Sequence, residues 1–451
     1  MDNRKKTMKK IKQILIVPLL LFVMELFFLL LAVMYGRGGL YIKPALILWG
    51  IVAIIYVMSV WIKANERIVV YSSLLLSIGV FVQIMTIPIT SAQNSQTSDI
   101  VRSMVVGMIF AAVAFVVLLM PWFYWHYYDV VILAIMLVNI LILLVMFLFA
   151  TGVEGDVSKI NLFGVQPLEL VKLCYIFVLS GLLCKPERKQ VRIFRIRRTM
   201  LALVYMLVNT VFFLLLKELG TLLILILLGL SMMFMFCEKW KDILIAVTVH
   251  AFMAFVGIIL AVTRFTVIGQ TLYNRFLYFV HPERELYGRG YQYILLKKSL
   301  ALSELLPINA DRYKLVMPAQ QTDLVFAKLL QLGGVLLSIL VLVIYILLLA
   351  DGFRTAYKVT DIYYRGMSMG ISILLAFQGI IHIAYNVGLM PITGVPLLYI
   401  SRGGSNQMVS LVLTAILLVI SANGLKRIET DEMSFERKRI HGTKFEKVFK
   451  I

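Results

Sequence analysis

The chain has 451 residues, of which 61% are hydrophobic and 15% are charged. Soluble domains are about half apolar and about one quarter charged, so this composition excludes a soluble enzyme and favours many membrane crossings. The net charge of +20 comes from Lys and Arg in short loops and tails between apolar runs. Because that distribution is the one that sets membrane orientation, we expect no nucleic-acid partner.

Apolar runs bounded by charged or turn residues predict an all-α polytopic membrane protein with about twelve transmembrane helices. The stretch 199–236 is the least clear, because only Lys217 and Glu218 separate its two runs, and a re-entrant pair or a tight hairpin would also fit it. The runs lie near residues 13–34, 44–62, 68–91, 103–120, 130–151, 166–184, 199–216, 219–236, 243–263, 323–350, 366–387 and 408–424.

The basic residues predict that both termini are cytoplasmic. A basic tail at 1–12 precedes the first run, a basic loop follows the sixth, and a second basic tail occupies 426–451. Short alternate loops such as 91–100 are poor in Lys and Arg. The first run is about 20 residues long and has no small-x-small cleavage pattern, so it is interpreted as a retained anchor.

One connection, residues 264–322, is far longer than a link between helices requires, and by parity it lies outside the membrane. Cations, carboxylates and aromatic side chains alternate along it. This mixture suits an anionic, sugar-bearing ligand, because cations neutralise phosphate, aromatic rings stack on sugars and a carboxylate accepts a proton. A solvated loop that folds back on the helices explains the same composition, so both interpretations stay open.

Glu169 and Lys172 lie one helical turn apart inside a predicted span that begins with Gln166 and Pro167. Ionised residues at membrane depth cost several kcal/mol, so they pair or mark functional paths. This pair either staples the outer end of the helix or contacts a ligand. In the next motif, which runs from Glu218 to Thr221, helix capping alone would explain the acid.

Two further polar motifs lie at the start of the tenth predicted span and after the eleventh. Pro318 to Ala327 contains Thr322 and Asp323, either of which is a suitable N-cap for the tenth span. Gly388 to Ser405 contains two Pro, several Gly and small polar residues, among them Thr393 and Ser401. This composition predicts a re-entrant, tightly turned segment, and irregular backbone at such a depth usually lines a cavity.

These motifs, in this order around a long outer loop, resemble the SEDS family (shape, elongation, division and sporulation proteins). The family pattern reads Q-P-S-E-x-x-K, D-L-G-T, D-P-x-x-D-P-x-G-x-G-Y-Q, P-E-x-x-T-D-F-I-F-A and N-x-G-x-x-P-x-T-G-V-P-L-P-x-I-S-x-G-G-S. Gly388 to Ser405 is the most specific match. The resemblance covers about residues 150–425 and implies a ten-helix core plus an extra N-terminal helix pair. It divides the chain into divergent membrane helices at 13–151 and a SEDS-like core at 152–425 that includes the loop 264–322.

The resemblance implies polymerisation of lipid II, the undecaprenyl-pyrophosphate-linked disaccharide peptide, during division, elongation or sporulation. It places the protein in the bacterial cytoplasmic membrane and implies a class B penicillin-binding transpeptidase as partner. Alignment puts Glu285 at the position of the family's catalytic aspartate. No dedicated metal-ligand cluster is visible, although pyrophosphate chemistry often recruits a divalent cation. The implied substrate-binding residues are Glu169, Lys172, Glu218, Arg275, Arg284, Arg289, Gln292, Thr322, Asp323, Thr393 and Ser401.

The chain departs from the family pattern at sensitive positions. Glu285 replaces the aspartate, Glu218 replaces the acid of D-L-G, and Gln331 and Leu332 replace two acids after the T-D-F-I-F-A motif. Glutamate is one methylene longer than aspartate, and misplacing a base by about 1 Å costs about 10²-fold in rate. A second function therefore stays open: a non-catalytic SEDS-like protein that binds or flips a polyprenyl-linked glycan precursor, or scaffolds a transpeptidase.

Overall fold

The computed structural model describes residues 2–88, 93–119, 128–152, 166–184, 197–263, 267–306 and 315–422. In chain order the helices before the long loop are α1 (Asp2–Met34), α2 (Gly38–Trp61), α3 (Glu66–Met85), α4 (Gln93–Leu119), α5 (Tyr128–Gly152), α6 (Pro167–Leu183), α7 (Arg198–Leu215), α8 (Leu219–Phe236) and α9 (Trp240–Thr263). The loop carries α10 (Val267–Val280), a 3-10 helix (Pro282–Arg284) and α11 (Arg289–Ala301). After the loop come α12 (Val325–Lys358), α13 (Ile362–Asn386) and α14 (Gly404–Ala422).

The predicted all-α, multi-span architecture is confirmed. Among the described residues, ten helices are long and apolar enough to cross a membrane: α2 to α5, α7 to α9 and α12 to α14. The count of twelve is not confirmed, because the apolar part of α1, Pro18–Met34, and the 17-residue α6 are shorter than a typical span. Residues 199–236 form two separate helices, joined by a turn in which Lys217 has a φ of 62°.

Four helices form the interior of the bundle: α3, α6, α13 and α14. In α6, 14 of the 17 residues are buried. α14 is buried along its whole apolar window, and α3 and α13 along 83% and 72% of theirs, whereas only 17% of the window of α9 is buried. The interior helices carry small polar residues, including Ser77, Ser368 and Ser410. Such residues favour close helix packing in lipid. Burying an apolar side chain between helices contributes little there, because lipid tails are as apolar as the protein interior.

Helix α12 is kinked at Gly334, where φ is 69°. At the kink the long loop meets the helix: the N–H groups of Val335 and Leu336 donate to the carbonyls of Glu304 and Leu305, at 2.9 and 3.2 Å. The kink therefore anchors this part of the loop, at Glu304 and Leu305, to a membrane helix.

Residues 387–403 connect α13 to α14 without forming a helix, as the Gly and Pro content predicts. Side chains of neighbouring helices donate hydrogen bonds to some of the backbone carbonyls of this 387–403 segment. Gln83 donates to the carbonyl of Ile400 at 2.9 Å, and Gln378 donates to the carbonyl of Pro396 at 2.8 Å. An irregular segment is stable among membrane helices only with such partners.

Candidate functional site

A cavity of about 140 Å³ lies between the long loop and the 387–403 segment. The loop lines it with Arg275 and Tyr278 from α10 and with Gln292 and Tyr293 from α11. Residues three apart on a helix share a face, which explains why Arg275 and Tyr278 reach the same space. The cavity thus receives one cation, one amide and two phenol groups from the loop.

The opposite side of the cavity is lined by Asp323, which lies just before α12, and by Ile392, Thr393 and Gly394 of the 387–403 segment. The start of α8 packs against this segment: a Cβ at Gly220 would lie 2.7 Å from the carbonyl oxygen of Thr393. Only glycine permits so close an approach.

The loop and the 387–403 segment are joined directly. The hydroxyl of Tyr293 accepts a hydrogen bond from the N–H of Ile392 at 2.8 Å, and the ring of Phe279 packs edge-on against Tyr293 with centroids 5.9 Å apart. A Cβ at Gly290 would collide with the carbonyl oxygens of Pro282 and Glu285, so the turn before α11 packs closely on the helix it leads into. These contacts fix the orientation of α11 and of the side chains that it presents to the cavity.

Asp323 is the carboxylate that lines the cavity. Burial raises the pKa of its carboxyl group, while the Thr322 hydroxyl and the Arg275 guanidinium act in the opposite direction. Its carbonyl accepts a hydrogen bond from the side chain of Asn386 at 2.9 Å, which holds the backbone in place. The expectation that Thr322 or Asp323 caps the helix is wrong: α12 begins at Val325, its N-cap position is Leu324, and the preceding residues form turns.

Glu285 lies on the turn between the 3-10 helix and α11, and it is not among the residues that line the cavity. Its carboxylate folds over Gly288, where a Cβ would collide with it. One carboxylate oxygen, Oε2, is buried and has no hydrogen-bond partner among the described residues. The catalytic role predicted for Glu285 stays a prediction.

The residues around Glu285 face solvent. Glu283 is exposed; a backbone hydrogen bond lowers the pKa of its carboxyl group, and His281, 3.1 Å away, lowers it further. Arg284 is also exposed, and it does not line the cavity. The side chain of Arg289 lies outside the described part of the structure.

Glu169 and Lys172 form the ion pair that their spacing predicts, with 2.6 Å between Oε2 and Nζ. Both side chains are buried and neither lines the cavity. Lys172 also donates to Gln378 at 3.3 Å, and Gln378 in turn bonds the carbonyl of Pro396. The pair therefore lies beneath the 387–403 segment and supports it.

The remaining predicted residues, Glu218, Thr322 and Ser401, are not among those that line the cavity. Glu218 occupies the N-cap position of α8, but its side chain makes no capping hydrogen bond. The hydroxyl of Ser401 donates to the carbonyl of Thr322 at 2.8 Å, so these two residues join the 387–403 segment to the start of α12. Among the residues that the structure describes, no three His, Cys, Asp or Glu side chains lie together as a metal site.

The sequence placed Tyr278 and Tyr293 only among the loop aromatics that suit a sugar ligand, and it assigned no role to Ile392. Tyr278 follows Arg275 by one helical turn, and Tyr293 directly follows Gln292, so their positions relative to two predicted site residues are the signal that could have found the tyrosines. Ile392 donates its backbone N–H to the hydroxyl of Tyr293, and a pattern of side chains in the sequence cannot predict such a backbone contact.

The chain resembles curated proteins of bacterial wall synthesis. It is 26% identical over 283 residues to the peptidoglycan glycosyltransferase MrdB of Escherichia coli K12, an alignment that covers 59% of this chain and 73% of the relative. It is also 30% identical over 151 residues to stage V sporulation protein E of Bacillus subtilis, an alignment that covers 33% of this chain and 41% of the relative.

Two solved structures share the fold. A chain from a structural study of a peptidoglycan synthase complex that coordinates polymerization and crosslinking superposes with a TM-score of 0.61 and 19% identity, over 80% of this chain and 98% of that one. The rod shape determining protein RodA of Thermus thermophilus superposes with a TM-score of 0.52 and 17% identity, over 80% and 97%. At these identities the likeness establishes the fold.

The family model described as cell cycle protein, which covers FtsW, RodA and SpoVE, matches residues 65–425. The match begins between α2 and α3 and ends after α14, so it includes every element that lines the cavity. Because the match covers most of the chain, this protein belongs to the FtsW/RodA/SpoVE family.

Proposed function

We propose that this protein is a peptidoglycan glycosyltransferase that polymerises lipid II at the outer face of the bacterial cytoplasmic membrane. The observation that carries the proposal is the cavity, which combines the Arg275 guanidinium, the Asp323 carboxylate, two tyrosines, an amide and a hydroxyl. Family membership and the glycosyltransferase names of the relatives support the same activity.

The lining of the cavity matches the needs of glycosyl transfer from a pyrophosphate carrier. A guanidinium offsets the charge of the departing pyrophosphate, and a carboxylate accepts hydrogen bonds from sugar hydroxyls. Gln292 and Thr393 supply hydrogen-bonding groups for the hydroxyls of the sugar. The cavity is smaller than the roughly 300–1,000 Å³ of sites for drug-sized ligands. It would therefore hold the reacting end of the substrate while the lipid stays in the membrane.

The test is the incubation of purified protein with labelled lipid II, alone and with its class B transpeptidase, followed by sizing of the glycan products. Glycan strands from the wild-type protein are the expected result. Lipid II that is bound and left unpolymerised, with the partner present, would favour the non-catalytic alternative. The observation that favours this alternative is that Gln331 and Leu332 occupy positions where the family pattern has acidic residues.

The alignment assigns the catalytic base to Glu285. If the assignment is right, Glu285→Gln lowers polymerisation by about 10²-fold or more, which is the usual contribution of a general base. Glu285→Asp restores the family's residue and retains or raises the activity. Glu283→Gln is the matched control, because Glu283 is exposed two residues earlier and has no contact with the cavity. If the Glu285→Gln variant polymerised lipid II at the wild-type rate, Glu285 would not be the catalytic base.

A transpeptidase partner is part of the proposal. One structural neighbour comes from a synthase complex in which polymerization and crosslinking are coordinated, and it covers 80% of this chain. Lipid II polymerisation that rises when the cognate class B transpeptidase is added would support the partnership.

A further inference from the structure

The backbone of the turn that carries Glu285 is held on both sides of the residue. The N–H of Glu285 donates to the carbonyl of Pro282 at 3.4 Å. The carbonyl of Glu285 lies so close to Gly290 that a Cβ on this glycine would collide with it. With the backbone held, the position of the carboxylate depends on the torsions of the side chain, and glutamate has one more of these than aspartate.

The side chain of Glu285 folds back over Gly288. The position that a Cβ would take on Gly288 is 2.6 Å from Cδ of Glu285 and 3.2 Å from its Cγ, and Oε1 is closer still. Carbon atoms in ordinary contact are about 3.5–4.0 Å apart, so a side chain on residue 288 would displace the carboxylate by about 1 Å. The folded-back conformation therefore depends on the absence of a side chain at Gly288.

The carboxylate of Glu285 has one oxygen that no hydrogen bond orients. Oε2 is buried, and among the residues that the structure describes it has no partner. A carboxylate oxygen in this state can accept a hydrogen bond or a proton from a ligand group. The shape of the turn, and above all the space over Gly288, therefore restricts the direction of this carboxylate.

We propose that Gly288 is a positioning residue for Glu285, and that the space over it allows a glutamate to act where the family pattern has an aspartate. The proposal rests on the proposed function, in which Glu285 is the catalytic base. An extended glutamate would carry its carboxylate one methylene farther from the backbone, whereas the folded-back side chain offsets part of that displacement. Because misplacing a base by about 1 Å costs about 10²-fold in rate, this difference determines whether the longer acid is effective.

The test combines an alanine at Gly288 with the shorter acid at Glu285. Gly288→Ala displaces the carboxylate, so we expect kcat for lipid II polymerisation to fall by about 10²-fold. The KM should stay unchanged, because the base acts in the chemical step. When Glu285→Asp is also present, Cδ and Oε1 are gone, and the new carboxyl carbon takes the place of Cγ. The broad terminal torsion of the shorter acid lets its oxygens turn aside, so this double variant should recover most of the lost rate.

Gly290→Ala is the matched control in the same turn. Its Cβ would collide with the carbonyl oxygens of Pro282 and Glu285, which are backbone atoms and cannot turn aside as a side chain does. We therefore expect Gly290→Ala to lower the melting temperature more than Gly288→Ala does. Glu285→Asp should not rescue it, because the backbone of residue 285 is the same in both acids.

A wild-type rate in Gly288→Ala, or an equal loss of rate with and without Glu285→Asp, would overturn the proposal. Rescue of Gly290→Ala by Glu285→Asp would also overturn it. If neither Gly288→Ala nor its combination with Glu285→Asp folded, the collision would not lie with the Glu285 side chain, and the proposal would be wrong. Wild-type protein that polymerises nothing with its partner present would refute the proposed function, whereas an active wild type without the rescue would refute this proposal alone.

Discussion

Lys172 is an ammonium group in the interior of a membrane protein, with 1% of its surface exposed. A buried charge is tolerated only with a close partner, and Glu169 at 2.6 Å is that partner. Gln378 extends the pair to the carbonyl of Pro396, so the charges support the segment that carries Thr393 and Gly394. At the scale of single residues, ionic groups outside the cavity determine the shape of its wall.

We predict that Glu169→Ala destabilises the protein by about 3–5 kcal/mol, because it leaves an uncompensated buried ammonium. The double change Glu169→Gln with Lys172→Met should cost less than the single change, since it removes both charges while keeping the volume. Denaturant unfolding of the purified protein measures the coupling, and His281 and Glu283 form an exposed control pair for which no measurable coupling is expected. If the losses of unfolding free energy at Glu169 and Lys172 were strictly additive, the ion pair would not contribute to stability.

At the scale of secondary-structure elements, α12 connects the long loop to the membrane bundle. Its kink at Gly334 places the N–H groups of the next two residues opposite the carbonyls of Glu304 and Leu305. The N-terminal end of the same helix follows Asp323, which lines the cavity. One helix thus holds both residues 304–305 of the loop and one wall of the site.

We predict that Gly334→Ala destabilises the protein by about 1–3 kcal/mol, since a φ of 69° is strained for alanine. Its Cβ would also lie 2.6 Å from the carbonyl oxygen of Leu305, so the loop backbone at this point would have to move. The melting temperature and the lipid II assay should both fall. Gly257→Ala in α9 is the matched control, because no atom lies within 4 Å of the added Cβ and no loss of stability is expected. An unchanged melting temperature for Gly334→Ala would contradict the predicted strain.

The two helices that precede the family match are attached by a buried carboxyl group. Glu25 of α1 accepts hydrogen bonds from the hydroxyl of Tyr41 in α2, at 2.8 Å, and from the hydroxyl of Ser77 in α3. In lipid such polar contacts and close packing hold helices together, because burial of apolar surface contributes little.

We predict that Glu25→Leu weakens the attachment of α1 and α2 to α3 by about 1–2 kcal/mol, whereas Glu25→Gln retains a hydrogen-bonding partner for both hydroxyls. Limited proteolysis after the α2–α3 turn measures the attachment, and faster release of the N-terminal fragment is expected for Glu25→Leu. Equal release rates for the leucine and glutamine variants would exclude the carboxyl group as the attachment.

At the scale of the whole molecule, the charge distribution and the parity of the spans predict that the loop and the cavity face the outside. Tyr287 in the loop is fully exposed, and Tyr357 at the far end of α12 is 75% exposed. Because α12 crosses the membrane between these regions, the two positions report on opposite faces.

We predict that a membrane-impermeant thiol reagent labels Tyr287→Cys in intact cells and labels Tyr357→Cys only after permeabilisation. The unmodified protein is the control for its own thiols at Cys174, Cys184 and Cys237. Labelling in the opposite order would reverse the orientation and place both termini outside.

The sequence by itself determined the ten described helices that are long and apolar enough to cross a membrane, because in lipid every segment must satisfy its own backbone and apolar runs of sufficient length become helices. It also determined the Glu169–Lys172 pair, whose partners lie three residues apart on one helix. The irregular 387–403 segment follows equally from local chemistry, since Gly and Pro disfavour helix there.

Only the tertiary structure decided which polar residues share the cavity. Arg275, Gln292, Asp323 and Thr393 come from three separate parts of the chain, and their meeting depends on how the ends of α8, α11 and α12 pack against the 387–403 segment. Local patterns record the preferences of neighbouring residues, whereas these outcomes depend on contacts between residues tens to more than a hundred positions apart.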